Sequence, residues 1–249
     1  MNILKQIPLL TVADIGSATS ALDATHSRIL KTIKRLQDDV EARRVEIKSR
    51  WAKTRQANLI GADANALRSI ELQEMTQAFD GIKQTAAAEL DQLFKEAGAS
   101  HALVLGQRPY YDSPVRVVAR AGLGSDKRTA YALQLQGSLK AELSHLGQVA
   151  VGTGDEVLAA AVLSRIDRLP REDRPFSANE LASAMRPEAF LKVQEYIKIA
   201  ETRFQGVVIA IRAWNSGRKN PLSTVSLALR QGELDEQLLK ELENADRKG

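Results

Sequence analysis

From Leu22 onward, apolar residues return at helical intervals: Leu22, Ile29, Ile33, Leu36, Val40 and Ile47. His26, Arg43 and Arg50 stand at the seam positions left over, so the heptad pattern is imperfect. Steps of three and four mark one face of an α-helix. No proline or glycine interrupts residues 17–58. The pattern therefore predicts one helix from Ser17 to Asn58, on the order of 60 Å long at the usual rise. Gly61 is the predicted stop, because glycine takes the left-handed conformation without steric cost. Asp63 then offers an oxygen to the free amides of a second helix. That helix carries Leu72, Met75, Phe79, Ile82, Ala86, Leu90 and Leu93, with Gly98 as its expected end. A short connection between two long helices makes them antiparallel neighbours.

Beyond residue 100 the apolar pattern breaks into shorter pieces. Ser113 followed by Pro114 predicts a helix start, with Gly122 as the stop. Ser125 is a predicted cap for a helix carrying Tyr131, Leu133 and Leu135, and Gly137 interrupts or kinks it. Leu139, Leu143, Leu146 and Val149 mark another helix, and GTGD at 152–155 a stop and a start. The segment EVLAAAVLSRIDRL ends before Pro170. Ser177 with Glu180 forms a capping-box pattern. Pro187 opens the strongest amphipathic stretch, with Phe190, Val193, Ile197, Ala200, Phe204, Val207, Ile211 and Trp214 in unbroken three–four alternation. Leu191, Ile199 and Val208 lie off that seam. Gly217 is its expected end, and an acidic helix is predicted from about Glu233. HALVLG at 101–106 and part of GVVIAI at 206–211 have local strand preference, but neither makes a sheet alone.

The chain is thus expected to be all-α: a coiled-coil-like antiparallel hairpin over residues 1–99, then a multi-helix bundle over 100–249. Composition agrees, with aromatics at only 4% and hydrophobic residues at 44% of 249. Charge adds detail. Residues 28–55 hold ten bases and four acids, whereas residues 63–96 hold seven acids and three bases. Opposite charge on the two arms favours their pairing over self-pairing of either arm. It also means that the basic first arm, which alone would resemble a nucleic-acid-binding helix, is largely compensated by its neighbour.

Candidate chemistry is sparse. The chain has no cysteine, so disulfides and thiolate metal sites are excluded. His26, His101 and His145 share no metal-ligand spacing, and no cofactor or metal is expected. GLGSDKRT at 122–129 places Lys127 after Asp126 and follows a helix, unlike a phosphate loop, so a helix stop and a cap are the plainer expectation. No serine stands in a nucleophile-elbow context, and no catalytic residue is assigned. The N-terminal apolar stretch is short and broken by Pro8, so no signal peptide is read there. No apolar run is long enough for a membrane span.

Two candidate contact sets remain. Trp51 lies off the first seam with Val45 and Leu59, far along the hairpin, and is a candidate partner contact. Tyr110 and Tyr111, between Pro109 and Pro114, form an exposed-looking aromatic pair of the same kind. Arg203, Arg212, Arg218, Lys219 and Arg230 fall in a stretch without acids and are candidate nucleic-acid contacts. Phe204 and Trp214 in that stretch belong to the apolar seam.

SPVRVVARAGLGSDKRTAYALQLQG and AAAVLSRIDRLPREDRPFS, with the charged hairpin before them and the amphipathic helix after, resemble virion-associated helical proteins of tailed bacteriophages. The resemblance covers the general character of residues 17–230 and transfers no functional residues. It implies a non-enzymatic structural or assembly protein, of scaffolding, internal or connector-associated type, located in the virion and assembled in the host cytoplasm. Its implied partners are further copies of itself and other virion proteins. Alternatives are a nucleic-acid-associated protein using the 203–230 patch and an enzyme with an unrecognised site.

Overall fold

The computed structural model describes residues 8–57 and 64–217. Gly61, Asp63, Leu59 and the acidic segment from Glu233 lie outside the described residues. Eight α-helices and two short 3-10 turns occur among the described residues, with no strand. None of these helices is long and apolar enough to cross a membrane.

Helix α1 (Val12–Ala57) begins earlier than its apolar seam suggests. The reason is a reciprocal cap: the Asp14 amide donates to Thr11 Oγ1 at 3.1 Å, and the Thr11 amide donates to Asp14 Oδ2 at 3.3 Å. Helix α2 (Ala64–Leu105) runs past the expected stop at Gly98 and absorbs HALVLG, so the strand preference there is overridden. Gly98 keeps helical backbone, and its missing side chain leaves space beside Phe204.

The chain packs as two compact units whose division falls within helices rather than at one linker. One unit contains Ser20–His101 and the chain from Ala200 onward; the other contains the start of α1 up to Thr19 and Ala102–Ile199. The expected boundary at residue 99 falls within α2. It does not separate the two halves of α8 (Glu188–Asn215), which belong to different units.

In the hairpin unit, α1 and α2 pack antiparallel. Leu22, Ile29, Ile33, Leu36, Val40 and Ile47 are all buried, opposite Ala86, Leu90, Leu93 and Ala97. Charge follows the arms: Arg28 pairs with Glu96 at 3.2 Å, Arg35 with Glu89 at 2.8 Å, Arg50 with Glu74, and Arg55 with Glu71 at 2.7 Å. The exposed pairs Arg28–Glu96 and Arg35–Glu89 contribute only about 0.2–1 kcal/mol each, whereas Glu71 is buried beside Arg55; the larger effect of the set is to select the antiparallel register. The second half of α8 is a third helix in this unit. Phe79 meets Trp214 edge-on with centroids 5.7 Å apart, Phe94 stacks on Phe204 at 5.7 Å, and Lys83 donates to the Asn215 carbonyl at 2.6 Å.

The other unit is built around α6 (Glu156–Ile166), which is buried from Leu158 through Leu163 and again at Ile166. A helix apolar on all sides must be covered on all sides. Helices α3 (Pro114–Arg120), α4 (Asp126–Gln134), α5 (Lys140–Thr153) and α7 (Ala178–Met185) do so. Their ends follow the sequence signals. Ser113, Ser125, Asp155 and Ser177 accept backbone amide hydrogen bonds as N-caps, and Ser177 with Glu180 completes a capping box. Gly122 and Gly154 stop helices at φ +65° and +67°. Gly137 lies in the turn after α4 rather than kinking a helix. Gly147 admits the Phe176 ring, whose Cζ would stand 2.3 Å from any added Cβ.

Candidate functional site

Of the residues singled out by sequence, Tyr110 and Tyr111 belong to one unit, and Trp51, Arg203 and Arg212 to the other. Trp51 is half-buried, and its indole Nε1 donates to Glu74 Oε2 at 2.8 Å across the hairpin. Its polar edge is thus engaged within the chain.

Tyr111 is only 6% exposed, contrary to the exposed-looking pair expected from its proline loop. Its hydroxyl donates to the Leu10 carbonyl at 3.4 Å, and its own carbonyl accepts from Gln194. Tyr110 is half-buried, and the Arg120 guanidinium lies 5.8 Å from its ring and 5.0 Å from that of Tyr111. Proline-rich loops are usually exposed; this one is drawn inward because it joins a small clamp. Next to it, Gln107 is 1% exposed, and its side-chain amide accepts from the Leu10 amide at 3.0 Å and donates to the Pro8 carbonyl at 3.0 Å. Gln107 carried no sequence signal, since a lone glutamine is normally a surface residue.

Within the basic stretch, Arg203 Nε pairs with Asp23 Oδ1 at 2.6 Å, whereas Arg212 is exposed. Arg218, Lys219 and Arg230 lie outside the described residues. Phe204 and Trp214 are packing residues in the hairpin unit, as the seam predicts.

His26 is buried on the first seam, and burial, followed by the Arg203 charge, pushes its pKa below 6.5 against the opposing effect of Asp23. Its Nε2 has no hydrogen-bond partner. His101 stacks on Phe204 at 4.2 Å, and burial lowers its pKa against the opposing Glu201 charge. In the bundle unit, burial alone would raise the Asp155 pKa. Hydrogen bonds from Lys127, the Leu158 amide and Tyr131 outweigh that and hold it below its ordinary value. Lys127 thus pairs with the N-cap residue of α6 at 2.8 Å. Among the described residues, no group of three or more histidine or acidic side chains is placed to hold a metal ion.

The surface of the hairpin is more informative. Val45 and Ile70 are 58% and 49% exposed, and Leu72, an expected seam residue of α2, is 63% exposed. Leu72 lies seven residues before Phe79 and so on the same face of α2. At Phe79 that face is covered by Trp214 of α8, and Gly217, just past the end of α8, stands against the Phe79 ring. Two turns farther, the covering helix has ended. The result is a shallow groove lined by Leu72, Met75 and Phe79 on one side and Arg44 and Lys48 on the other, with Glu41 beside Arg44 at 3.6 Å. No protein-family model, curated protein or solved structure matches the chain.

Proposed function

We propose that this is a non-enzymatic structural or assembly protein, acting through helix-mediated association in a multi-subunit particle of the tailed-phage kind. The observation that carries this is the hairpin itself: two long helices locked in one register by charged pairs, with Val45 and Ile70 turned to solvent. Such a scaffold presents side chains at fixed spacing, and exposed aliphatic residues on it supply apolar contact area for a neighbouring subunit. The phage setting is supported by the general sequence resemblance alone.

Light scattering on the full chain across a wide concentration range tests it. The expected mass is a multiple of 27.3 kDa, and combined Val45→Glu and Ile70→Glu substitutions shift the protein toward single chains with helicity retained. A wild-type chain that remains single at the highest concentration removes this function.

A further inference from the structure

The groove at the end of α8 is bounded on both arms of the hairpin, and its chemistry is specific. Its floor is apolar, from Leu72, Met75 and Phe79, and its α1 wall carries Arg44 and Lys48 against the single acid Glu41, 3.6 Å from Arg44, so the wall is net positive. One turn before Leu72, exposed Arg68 adds a further positive charge on the same face of α2. The matching occupant is an acidic amphipathic helix about as long as the uncovered stretch.

The chain contains such a segment. Residues 233–246 carry six acids and one base, and Leu234, Leu238 and Leu242 recur every four residues. In a helix they share one stripe, with acids on the flanks. Fourteen residues make a helix of about 21 Å, enough to cover the face from Phe79 to Arg68, which spans about 16 Å at the same rise. Residues 218–232 connect this segment to Gly217, which itself lines the groove. Fifteen residues reach at most about 50 Å when fully extended, more than enough to bring the segment back to the groove. The segment is therefore tethered within reach of the groove on the same chain, which favours its own groove over that of another copy.

We infer that the acidic C-terminal segment 233–246 docks as a helix into the groove of its own hairpin, where Leu234, Leu238 and Leu242 cover Leu72, Met75 and Phe79 and its carboxylates face Arg44, Lys48 and Arg68. It completes the three-helix packing that α8 leaves unfinished. It is independent of the association assigned to Val45 and Ile70, which lie off this groove.

The absence of native cysteine makes the test direct. A Leu72→Cys substitution in the full chain places a single thiol in the groove, at a position exposed enough to accept it. Its labelling by a charged maleimide should be at least about tenfold slower than in the same chain also carrying Leu238→Glu and Leu242→Glu, as expected for a site that must open before it reacts. The slow labelling should not change on dilution. Reversing Arg44→Glu and Lys48→Glu should also speed labelling, with helicity by circular dichroism unchanged. Equal rates in the two leucine backgrounds overturn the inference, as does protection lost on dilution, which assigns the groove to a second copy. Labelling indifferent to the Arg44 and Lys48 reversal overturns it as well, because the charge match is then irrelevant.

Discussion

Trp51 and Glu74 face each other across the hairpin, with the indole N–H donating to one carboxylate oxygen at 2.8 Å while Arg50 engages the other. One acid thus ties together two neighbouring residues of the opposite arm. Trp51→Phe keeps most of the ring packing and deletes the donor. The expected loss is about 1 kcal/mol, since the carboxylate is partly exposed and keeps its arginine. Urea denaturation of the two proteins checks this, and an unchanged midpoint would mean that water replaces the indole at no cost.

Gly147 sits where Phe176 enters the bundle unit, and an added methyl group would overlap the ring at 2.3 Å from Cζ. Gly147→Ala should destabilise that unit by about 1–3 kcal/mol, the usual range for overpacking a filled core. Glycine substitution is often stabilised by alanine on an exposed helix, so the sign of the effect separates the two situations. Combining it with Phe176→Leu, which withdraws the ring, should recover part of the loss.

His26 is buried with its pKa lowered from 6.5 by burial and by Arg203, with Asp23 acting in the opposite sense. As pH falls below about 6.5, the unfolded chain takes up its proton before the folded chain does. The stability linked to His26 is therefore fully present above that value and declines as pH drops toward its folded pKa. His26→Leu should flatten the pH dependence over this window while leaving the protein no less stable at pH 7. Denaturation series at several pH values measure it, and an unchanged slope in the variant would place the dependence elsewhere.

Gln107 bridges the Pro8 carbonyl and the Leu10 amide with its two side-chain atoms. Gln107→Leu preserves approximate volume but strands both backbone groups. The expected cost is about 1–3 kcal/mol, concentrated at the N-terminal entry to α1. Hydrogen exchange at Leu10 should accelerate far more than exchange in α6, and uniform acceleration would instead point to global destabilisation.

The helical architecture was legible because periodicity and caps agree. Every apolar residue of the first seam from Leu22 to Ile47 is buried, and the Ser113, Ser125 and Ser177 caps all form. Where sequence and structure part, a tertiary neighbour decides. Leu72 has the right spacing to be buried, but α8 ends before reaching it. Gly98 looks like a stop, yet the helix continues through it beside Phe204. Tyr111 looks like a loop aromatic, but contacts with Leu10 and Gln194 draw it inward. The groove of Arg44, Lys48, Leu72, Met75 and Phe79 was invisible because its residues come from two arms and its limit is set by the length of a third helix. The pairing of arm charges was visible in sum, although the partner of each charge was not.

The pairs Arg28–Glu96 and Arg35–Glu89 lie seven residues apart on both helices, as do Leu22, Ile29 and Leu36 within the seam. Seven residues make nearly two whole helical turns, so each such block presents the same side to the opposite arm. The hairpin is therefore modular along its length. Removing one block from each arm shortens it by about 10 Å without changing which faces meet. Adding a single residue to one arm instead rotates everything beyond it by about 100° and sets charges and apolar groups out of phase. Such a hairpin can change its reach in whole blocks with its faces in phase, while lengths between blocks require local unwinding or overwinding of the pair.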